Sequence, residues 1–349
     1  MSALMRGWVR GWYQGSRWLC VLRPLEWLFR HLVLRRRAQY LSHPELVWQP
    51  PVPLIIVGNI SVGGTGKTPL VLALLQWAQA AGYKPGVVSR GYGSKASRYP
   101  CLVVAGANAA EVGDEPLLIV ERSGCALVID PDRVAAAKYL LQQTDCNLII
   151  SDDGLQHYRL GRSVEILVLD SERGLGSGRC LPEGPLREPP ERMDSVDLVV
   201  VNGDGPFRPV GAHMMQLMPG ALRALDGSAS LQAANWPGAR RVHALAGIGN
   251  PQRFFDSLRR LGFDPIAHSF ADHHAFSAED LEFGDDLALI MTEKDAVKCR
   301  NLAPANSWYL PVEARLDTLF ESALATQLNR QDSPGPGLRV SDAISGERQ

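Results

Sequence analysis

A glycine-rich segment that ends in Gly-Lys-Thr is the first place where residue types and spacing predict chemistry. It follows the apolar run 54–57 directly. Glycines let backbone N–H groups turn toward an anion, and the N-terminus of a following helix adds its positive dipole end. A lysine at this spacing reaches the β- and γ-phosphates of a nucleotide, and the threonine hydroxyl can bind Mg²⁺. The segment predicts a P-loop that binds a nucleoside triphosphate, formed by Ser61, Val62, Gly63, Gly64, Thr65, Gly66, Lys67 and Thr68.

Two features leave an alternative open. Ser61 stands where the general P-loop pattern has its first glycine, and a glycine-rich turn can end in Lys-Thr by chance. The strand-like run before the segment is where the P-loop requires one and favours the nucleotide site.

A pair of acids at the end of another apolar run predicts the metal side of the site. Asp152 and Asp153 follow residues 146–150. A carboxylate at such a strand end commonly binds the Mg²⁺ that the P-loop hydroxyl also holds. The alternative is an Asp-Asp-Gly turn without a metal role, which the apolar run before it disfavours.

Two more groups could handle a proton. Asp114 and Glu115 precede a predicted helix, so Asp114 is either a functional carboxylate or only a helix N-cap. His273 follows Asp272, and a carboxylate beside an imidazole fixes the tautomer that a general base needs. A surface or capping histidine is the alternative, and nothing nearby in the sequence excludes it.

Strand-like and helix-like segments alternate between these residues. Short apolar runs that end in glycine or polar residues predict a doubly wound, mostly parallel α/β sheet. The Gly-x-Gly at 247–249 lacks the rest of a dinucleotide fingerprint, so a second nucleotide site is not expected. Strands are predicted near residues 54–57, 85–89, 126–129, 146–150, 165–169, 197–201, 241–246 and 287–291. The predicted organisation is a P-loop domain at 50–202, a connection at 203–238 with one or two strands, a smaller α/β domain at 239–330 and a disordered tail at 331–349.

The first 40 residues differ from the rest of the chain. They contain eight of the arginines, four of the eight tryptophans and a single acid, Glu26. Apolar side chains recur at helical spacing between Trp18 and Leu34, and Pro24 suits a first helical turn. No run is long enough to span a bilayer, so residues 1–40 predict an amphipathic helix in the interface of an anionic membrane. A helix packed on the protein's own core is the alternative.

Composition narrows the function classes. A formal net charge of −1 argues against a general nucleic-acid-binding protein. Six cysteines without C-x-x-C spacing suit a reducing compartment and predict neither a zinc site nor disulfides. Arginines interrupt the N-terminal apolar stretches, so no cleavable signal peptide is expected.

Several sequence blocks follow one another along the chain. They are residues 58–69, Ser89-Arg90-Gly91-Tyr92-Gly93, Gly113-Asp114-Glu115-Pro116, residues 152–157, residues 181–188, Asp272-His273-His274 and residues 292–298. Taken in order, these blocks resemble those of the tetraacyldisaccharide 4'-kinase family, the kinases of lipid A synthesis. The resemblance runs from the basic N-terminal segment to about Leu310 and is more specific than a P-loop alone. The Ser or Thr of that family at the first loop position also matches Ser61.

The resemblance implies a function. The chain would transfer the γ-phosphate of ATP, with Mg²⁺, to the 4'-hydroxyl of lipid A disaccharide 1-phosphate. The product would be lipid IVA, made at the cytoplasmic face of the inner membrane without an obligate protein partner. The family pattern implies that Asp114 and His273 form a catalytic pair across the cleft between the two predicted domains. Candidate contacts to the substrate or its phosphate are Tyr92, Glu115, Arg187 and Glu188.

Two other functions are compatible with the loop. A P-loop switch ATPase of the partitioning or membrane-site-selection type has a leading lysine where this chain has Val62. A cytosolic small-molecule kinase needs no arginine- and tryptophan-rich N-terminus. Both features favour the lipid kinase.

Overall fold

The computed structural model describes residues 3–330, which form two compact units. One unit contains Gly66–Asp152 and Met215–Arg315. The other contains the remaining described residues, 3–65, 153–214 and 316–330. The predicted tail at 331–349 lies outside the described residues, and the domain boundaries predicted from the sequence stay a prediction.

Helices and strands alternate along much of the chain. The helices are α1 (Ala3–Gln14), α2 (Arg23–Ser42), α3 (Lys67–Ala80), α4 (Ala109–Val112), α5 (Asp114–Ser123), α6 (Arg133–Gln143), α7 (Pro251–Arg260), α8 (Glu293–Cys299) and α9 (Phe320–Asn329). The strands are β1 (Leu54–Gly58), β2 (Pro85–Ser89), β3 (Cys101–Val103), β4 (Leu127–Ile129), β5 (Leu148–Asp152), β6 (Val164–Asp170), β7 (Leu198–Asn202), β8 (His213–Pro219), β9 (Leu222–Ala224), β10 (Ser230–Leu231), β11 (Arg241–Ala246), β12 (Asp264–Ser269), β13 (Leu289–Thr292), β14 (Ser307–Leu310) and β15 (Val312–Leu316).

The first unit contains two sets of mostly parallel strands. In one set the order is β5-β2-β4-β3, and only β3 runs antiparallel to its neighbour. Val87 of β2 lies opposite both Leu127 and Ile150, and all three are fully buried. The other set has the order β10-β9-β14-β13-β11-β12, in which β14, β13, β11 and β12 are parallel. Strands buried on both faces need apolar runs, which explains why these segments could be predicted from the sequence.

The second unit contains three parallel strands in the order β7-β6-β1. Val57 of β1 lies opposite Ile166 of β6, and both are fully buried. Gly58 ends β1, and a Cβ atom there would lie 2.6 Å from the Cβ of Leu155. A larger residue at position 58 would therefore push apart the segments next to the phosphate loop. Mostly parallel sheets with intervening helices confirm the predicted α/β class.

One local prediction was wrong. The segment 203–238 contains three strands rather than one or two, because β8 is rich in methionine and lacks the β-branched residues that mark a strand. The segment with helical spacing from Trp18 contains a 3₁₀ turn followed by α2, in which Pro24 lies in the first turn as predicted, and α1 precedes both. Gly15 has a φ of 68°, which ends α1 and separates it from the next turn.

Candidate active site

The phosphate loop connects β1 to α3, and its glycines adopt conformations that other residues avoid. Gly63 and Gly66 have φ values of 106° and 97°. Gly66 stands directly before the first helical residue, Lys67. A Cβ atom built on Gly64 would meet nothing within 4 Å, so the backbone there borders open space. This conformation suits a nest of backbone N–H groups next to a helix N-terminus.

Uncharged side chains hold the phosphate loop in place through hydrogen bonds. Asn59 donates through Nδ2 to the Gly63 carbonyl at 3.2 Å and to Thr65 Oγ1 at 3.3 Å. Asn202, the last residue of β7, donates to the Thr65 carbonyl at 3.0 Å. Both asparagines are buried. Asn202 was not predicted to support the loop, because its contact depends on the pairing of β1, β6 and β7.

Two more contacts reach the loop backbone. The Arg173 guanidinium donates to the Gly64 carbonyl. The Val62 N–H donates to the Pro185 carbonyl at 2.9 Å, which ties the loop to the 181–188 block. The 181–188 block therefore supports the structure of the loop, in addition to containing candidate contacts to the substrate or its phosphate.

The predicted metal ligands lie at the ends of their elements. Asp152 ends β5 and is 3% exposed, whereas Thr68 lies in the first turn of α3. Asp153 has a φ of 49°, and its two carboxylate oxygens lie 3.2 and 3.3 Å from the Arg187 guanidinium. Hydroxyl and carboxylate oxygens are the donors that Mg²⁺ prefers. Within residues 3–330 no group of three or more Asp, Glu, His or Cys side chains could hold a metal ion.

Glu188 is enclosed rather than exposed. Its carboxylate accepts from Tyr158 Oη at 2.5 Å, from Gln156 Nε2 at 2.6 Å and from Arg192 Nε at 3.2 Å. The residue is 1% exposed. Burial, followed by the adjacent carboxylate, raises the pKa of the Tyr158 phenol. In this structure Glu188 therefore links the side chains of Gln156, Tyr158 and Arg192.

The structure brings together Asp114 and His273, which lie 159 positions apart. His273 Nδ1 lies 3.0 and 3.1 Å from the two carboxylate oxygens of Asp114. The Asp114 side chain is 5% exposed and that of His273 is 29% exposed, so the imidazole is the partner that reaches solvent. His273 has a φ of 60°, an uncommon backbone state that tends to persist at functional sites. The exposed ring of Tyr92 lies 5.2 Å from the imidazole.

Mutual interaction shifts the pKa values of the pair in opposite directions. Burial alone would raise the pKa of the Asp114 carboxyl, but the His273 hydrogen bond and the nearby Lys294 and Lys298 charges hold it below its usual value. The hydrogen bond to Asp114 raises the pKa of His273, against the effects of burial and of Lys294. Each group thus favours the charged form of the other.

The adjacent histidine has different partners. His274 Nε2 lies 3.1 Å from Asp280 Oδ2, and its ring packs against Phe270 and Phe276. Of the two histidines, His273 is therefore the one beside Asp114.

Two lysines complete this cluster. Lys294 Nζ lies 2.9 Å from Glu115 Oε1 and 3.9 Å from Asp114 Oδ2. Lys298 Nζ lies 4.0 Å from Asp114 Oδ2. Both are on α8, in the 292–298 block, which was quoted from the sequence without any role for its residues. The spacing of four places both lysines on one helix face, which is the signal that could have drawn attention to them.

Comparison with known proteins gives a consistent result. Residues 18–329 match the family model described as LpxK, tetraacyldisaccharide-1-P 4'-kinase. The chain is 51% identical over 321 residues to a tetraacyldisaccharide 4'-kinase of Stutzerimonas stutzeri, and 92% of this chain and 96% of that protein are covered. It is 50% identical over 324 residues to one from Azotobacter vinelandii, with 92% and 97% covered.

A solved structure is similar as well. The crystal structure of LpxK from Aquifex aeolicus in complex with ATP superposes with a TM-score of 0.76 at 26% identity. The superposition covers 89% of this chain and 99% of that one.

Proposed function

This chain belongs to the tetraacyldisaccharide-1-P 4'-kinase family. From that premise we propose that it uses ATP to phosphorylate the 4'-hydroxyl of a tetraacylated glucosamine disaccharide 1-phosphate. The product is lipid IVA. The family assignment decides against the switch ATPase and the small-molecule kinase. The observation that most directly supports a hydroxyl acceptor is the contact between Asp114 and His273 at 3.0 Å. A phosphate loop without such a pair would fit an ATPase equally well.

The phosphate loop supplies binding and orientation. Within residues 61–68, the N–H groups other than that of Val62, together with the start of α3, accommodate the phosphates, and Lys67 neutralises charge that develops on the transferring group. Thr68, Asp152 and Asp153 would hold Mg²⁺. With Mg²⁺ bound there, part of the negative charge of the phosphates would be offset. Arg187, whose guanidinium lies 3.2 Å from the Asp153 carboxylate, would add a positive charge beside it.

The Asp114–His273 pair accepts the proton of the attacking hydroxyl. A sugar hydroxyl is a poor nucleophile, and a positioned base contributes about 10²–10⁴-fold. Asp114 is nearly enclosed and holds the imidazole, whereas His273 presents an exposed edge. We assign the proton to the pair as a unit, because each partner stabilises the charged form of the other.

The test is transfer of labelled phosphate. The purified chain is given ATP labelled in its γ-phosphate and the disaccharide 1-phosphate in mixed micelles, and labelled lipid is separated from labelled phosphate. We expect labelled lipid with the 4'-hydroxyl acceptor and none with an acceptor that already carries a 4'-phosphate. ATP hydrolysis without labelled lipid, under conditions in which Lys67→Ala abolishes hydrolysis, would contradict the proposed function.

We also propose that the enzyme works at an anionic membrane surface, from the cytoplasmic side. Between residues 3 and 330, no helix is both long and apolar enough to cross a bilayer. The substrate carries four acyl chains, and each CH₂ group that leaves the bilayer costs about 0.8 kcal/mol. The protein must therefore reach the substrate at the membrane.

An apolar surface near the N-terminus supports this proposal. On α2 the acid Glu26 is the buried residue and accepts from the Cys180 N–H at 3.1 Å. Large apolar side chains point outward instead, and the exposed arginines Arg35 and Arg36 follow on the same helix. We call this set the N-terminal apolar surface: Trp18, Val21, Leu25, Trp27, Leu28 and Leu32, each about half exposed or more.

Helix α1 contacts the 181–188 block, and this contact affects the choice of variants for a docking experiment. Trp8 and Trp12 both donate through Nε1 to the Pro182 carbonyl, at 3.2 and 3.1 Å. Trp12 is buried. Deleting residues 1–36 would remove these contacts and expose the 181–188 block, so point substitutions test docking more cleanly.

The docking experiment uses the double variant Val21→Ser/Trp27→Ser and vesicles that contain anionic lipid. We expect binding to fall at least about 10-fold, because two large apolar side chains leave the interface. The control is Val210→Ser/Leu319→Ser, which removes two exposed apolar side chains elsewhere. Equal binding by both double variants would show that docking uses another surface. Release by nucleotide alone would instead favour a membrane switch.

A further inference from the structure

Lys294 is one of the two lysines of this cluster that the proposed reaction does not yet use. Its ammonium lies 3.4 Å from His273 Nε2, the ring nitrogen that does not face Asp114. It also lies 2.9 Å from Glu115 Oε1 and 3.2 Å from Asp272 Oδ1. The side chain is 15% exposed. The Lys294 ammonium thus lies beside Nε2, which is the imidazole nitrogen that could accept a proton from the substrate.

We propose that Lys294 is a positioning residue that opposes protonation of His273 and holds its ring, with Nδ1–H toward Asp114 and the Nε2 lone pair toward the ammonium. This inference rests on the proposed function, since it assigns Lys294 a role in the same proton transfer. An ammonium has three donors and no acceptor, so a contact with Nε2 requires that nitrogen to be unprotonated. The proton of the neutral ring must then be on Nδ1, where Asp114 accepts it.

The start of α8 is built to hold Lys294 in place. Thr292 caps the helix: its Oγ1 accepts from the Asp295 N–H at 3.2 Å and donates to Asp295 Oδ2 at 2.6 Å. Asp295 is fully buried and also accepts from the Gly247 N–H at 2.8 Å. The hydrogen bonds of these buried side chains thus fix the position of the first turn of α8, which carries Lys294. A surface lysine would not need such an anchor.

Helix packing adds a second constraint. Arg122 of α5 donates to both oxygens of Glu293 at 2.8 Å, and both side chains are about nine-tenths buried. Because Glu293 directly precedes Lys294, this pair fixes the start of α8 against the helix that begins with Asp114. The distance between Lys294 and the Asp114–His273 pair is therefore set by buried contacts.

The charges that face His273 come from three elements. On α5 they are Asp114 and Glu115, and on the segment before His273 there is Asp272. On α8 they are Lys294 and Lys298, and the Lys298 ammonium also pairs with buried Asp295 at 2.8 Å. The phenol of Tyr92, after β2, completes the surroundings.

The balance of these charges predicts what Lys294 does. The carboxylates of Glu115, Asp114 and Asp272 raise the pKa of Lys294, although burial works in the opposite direction. Lys294 therefore stays charged wherever His273 titrates. Without it, the carboxylates of Asp114 and Asp272 would act on the imidazole without the opposing charge of Lys294. His273 would then bind a proton more tightly and would be blocked as a proton acceptor up to a higher pH.

The experiment compares Lys294→Met with two variants. Lys294→Arg keeps the cation. Arg300→Met is the matched control, because Arg300 also joins α8 to α5, through Glu121 at 2.6 and 2.7 Å, but its guanidinium does not contact His273. Two readouts are used: the pKa of the His273 imidazole by NMR in the protein without substrate, and the pH profile of kcat/KM.

For Lys294→Met we expect the His273 pKa and the acidic limb of the profile to rise together by about one pH unit or more, the size of shift that one nearby charge produces. At low pH kcat/KM falls at least about 10-fold, and raising the pH restores much of it. Lys294→Arg and Arg300→Met should keep both midpoints near those of the wild type.

Three outcomes would overturn the inference. An unchanged His273 pKa in Lys294→Met would show that the ammonium does not act on the ring. A loss of activity at every pH without a shift would indicate a structural role. A large rise in KM for ATP alone would indicate a phosphate ligand. If Lys294→Met does not fold, Lys294→Gln, which is polar but uncharged, serves the same readouts. The NMR titration needs no substrate, so it stands even if the chain phosphorylates a different acceptor.

Discussion

The phosphate loop and the Asp114–His273 cluster are held by opposite means. In the loop, glycines with positive φ shape the backbone, and the neutral amides of Asn59 and Asn202 brace it. In the cluster, nearly every contact joins two titratable side chains. A loop held by neutral amides and by an arginine, which stays charged, keeps its shape at any moderate pH, whereas the cluster changes charge with pH. Phosphate binding and proton transfer should therefore respond differently to pH and to substitution.

The largest effect is expected for Lys67→Ala in the loop. It removes a cation from the transferring phosphoryl group and should lower kcat at least about 10³-fold at every pH. Binding to lipid vesicles should change much less. The measurement is labelled phosphate transfer, with vesicle sedimentation of the same preparations as the control. Activity within a few-fold of wild type would refute the P-loop assignment.

The strand-end acids should give a smaller effect than Lys67. Asp152→Ala and Asp153→Ala are both expected to lower kcat by about 10- to 100-fold, because each would remove a proposed oxygen donor to Mg²⁺. Raising Mg²⁺ should partly restore the variant whose carboxylate binds the ion less directly. The test is a Mg²⁺ titration of each rate. Near-normal rates that do not respond to Mg²⁺ would make both acids structural.

A smaller effect is expected for the brace under the loop. Asn202→Ala removes the donor to the Thr65 carbonyl and leaves that carbonyl without this partner, at a cost of about 1–3 kcal/mol. We expect KM for ATP to rise several-fold with an unchanged pH profile. A rise in KM that depends on pH would contradict the expectation that the phosphate loop and the Asp114–His273 cluster respond differently to pH.

The smallest predicted effect is the contribution of the Asp114–His273 contact to stability. The pKa of His273 is raised in the folded chain, so its stabilisation is complete below about pH 6.5 and is lost as the pH rises through the folded value. The pKa of Asp114 is lowered, so its contribution is lost only in strong acid. His273→Ala should therefore destabilise more at pH 5.5 than at pH 8.5, by about 1 kcal/mol or less.

Urea unfolding of wild type and His273→Ala at these two pH values measures the difference. An equal or larger loss at the higher pH would contradict the sign of the His273 shift.

The two regions also differ in what the sequence could reveal. The loop is contiguous, so residues 61–68 and the apolar run before them were enough to predict it. The contact between Asp114 and His273 was expected only from family resemblance, since nothing local relates residues 159 positions apart. Lys294 went unassigned for the same reason. It becomes significant only when the packing of α8 on α5 brings its ammonium to the imidazole.

The N-terminal segment shows another limit of sequence patterns. Helical spacing predicted an apolar face on α2, but it could not tell which face would meet the protein. Glu26 is buried and Trp27 is exposed, which reverses the arrangement expected for a helix packed on a core. That inversion depends on the Cys180 N–H that Glu26 meets, far away in the chain.

The most direct test of the central claim is a double-mutant cycle on kcat with Asp114→Ala, His273→Ala and the combination. If the two residues accept the proton as a unit, each single variant should lose at least about 10²-fold with little change in KM for ATP, and the double variant should be scarcely worse than either. Losses that multiply, or a near-normal rate for His273→Ala beside a large loss for His274→Ala, would contradict the claim.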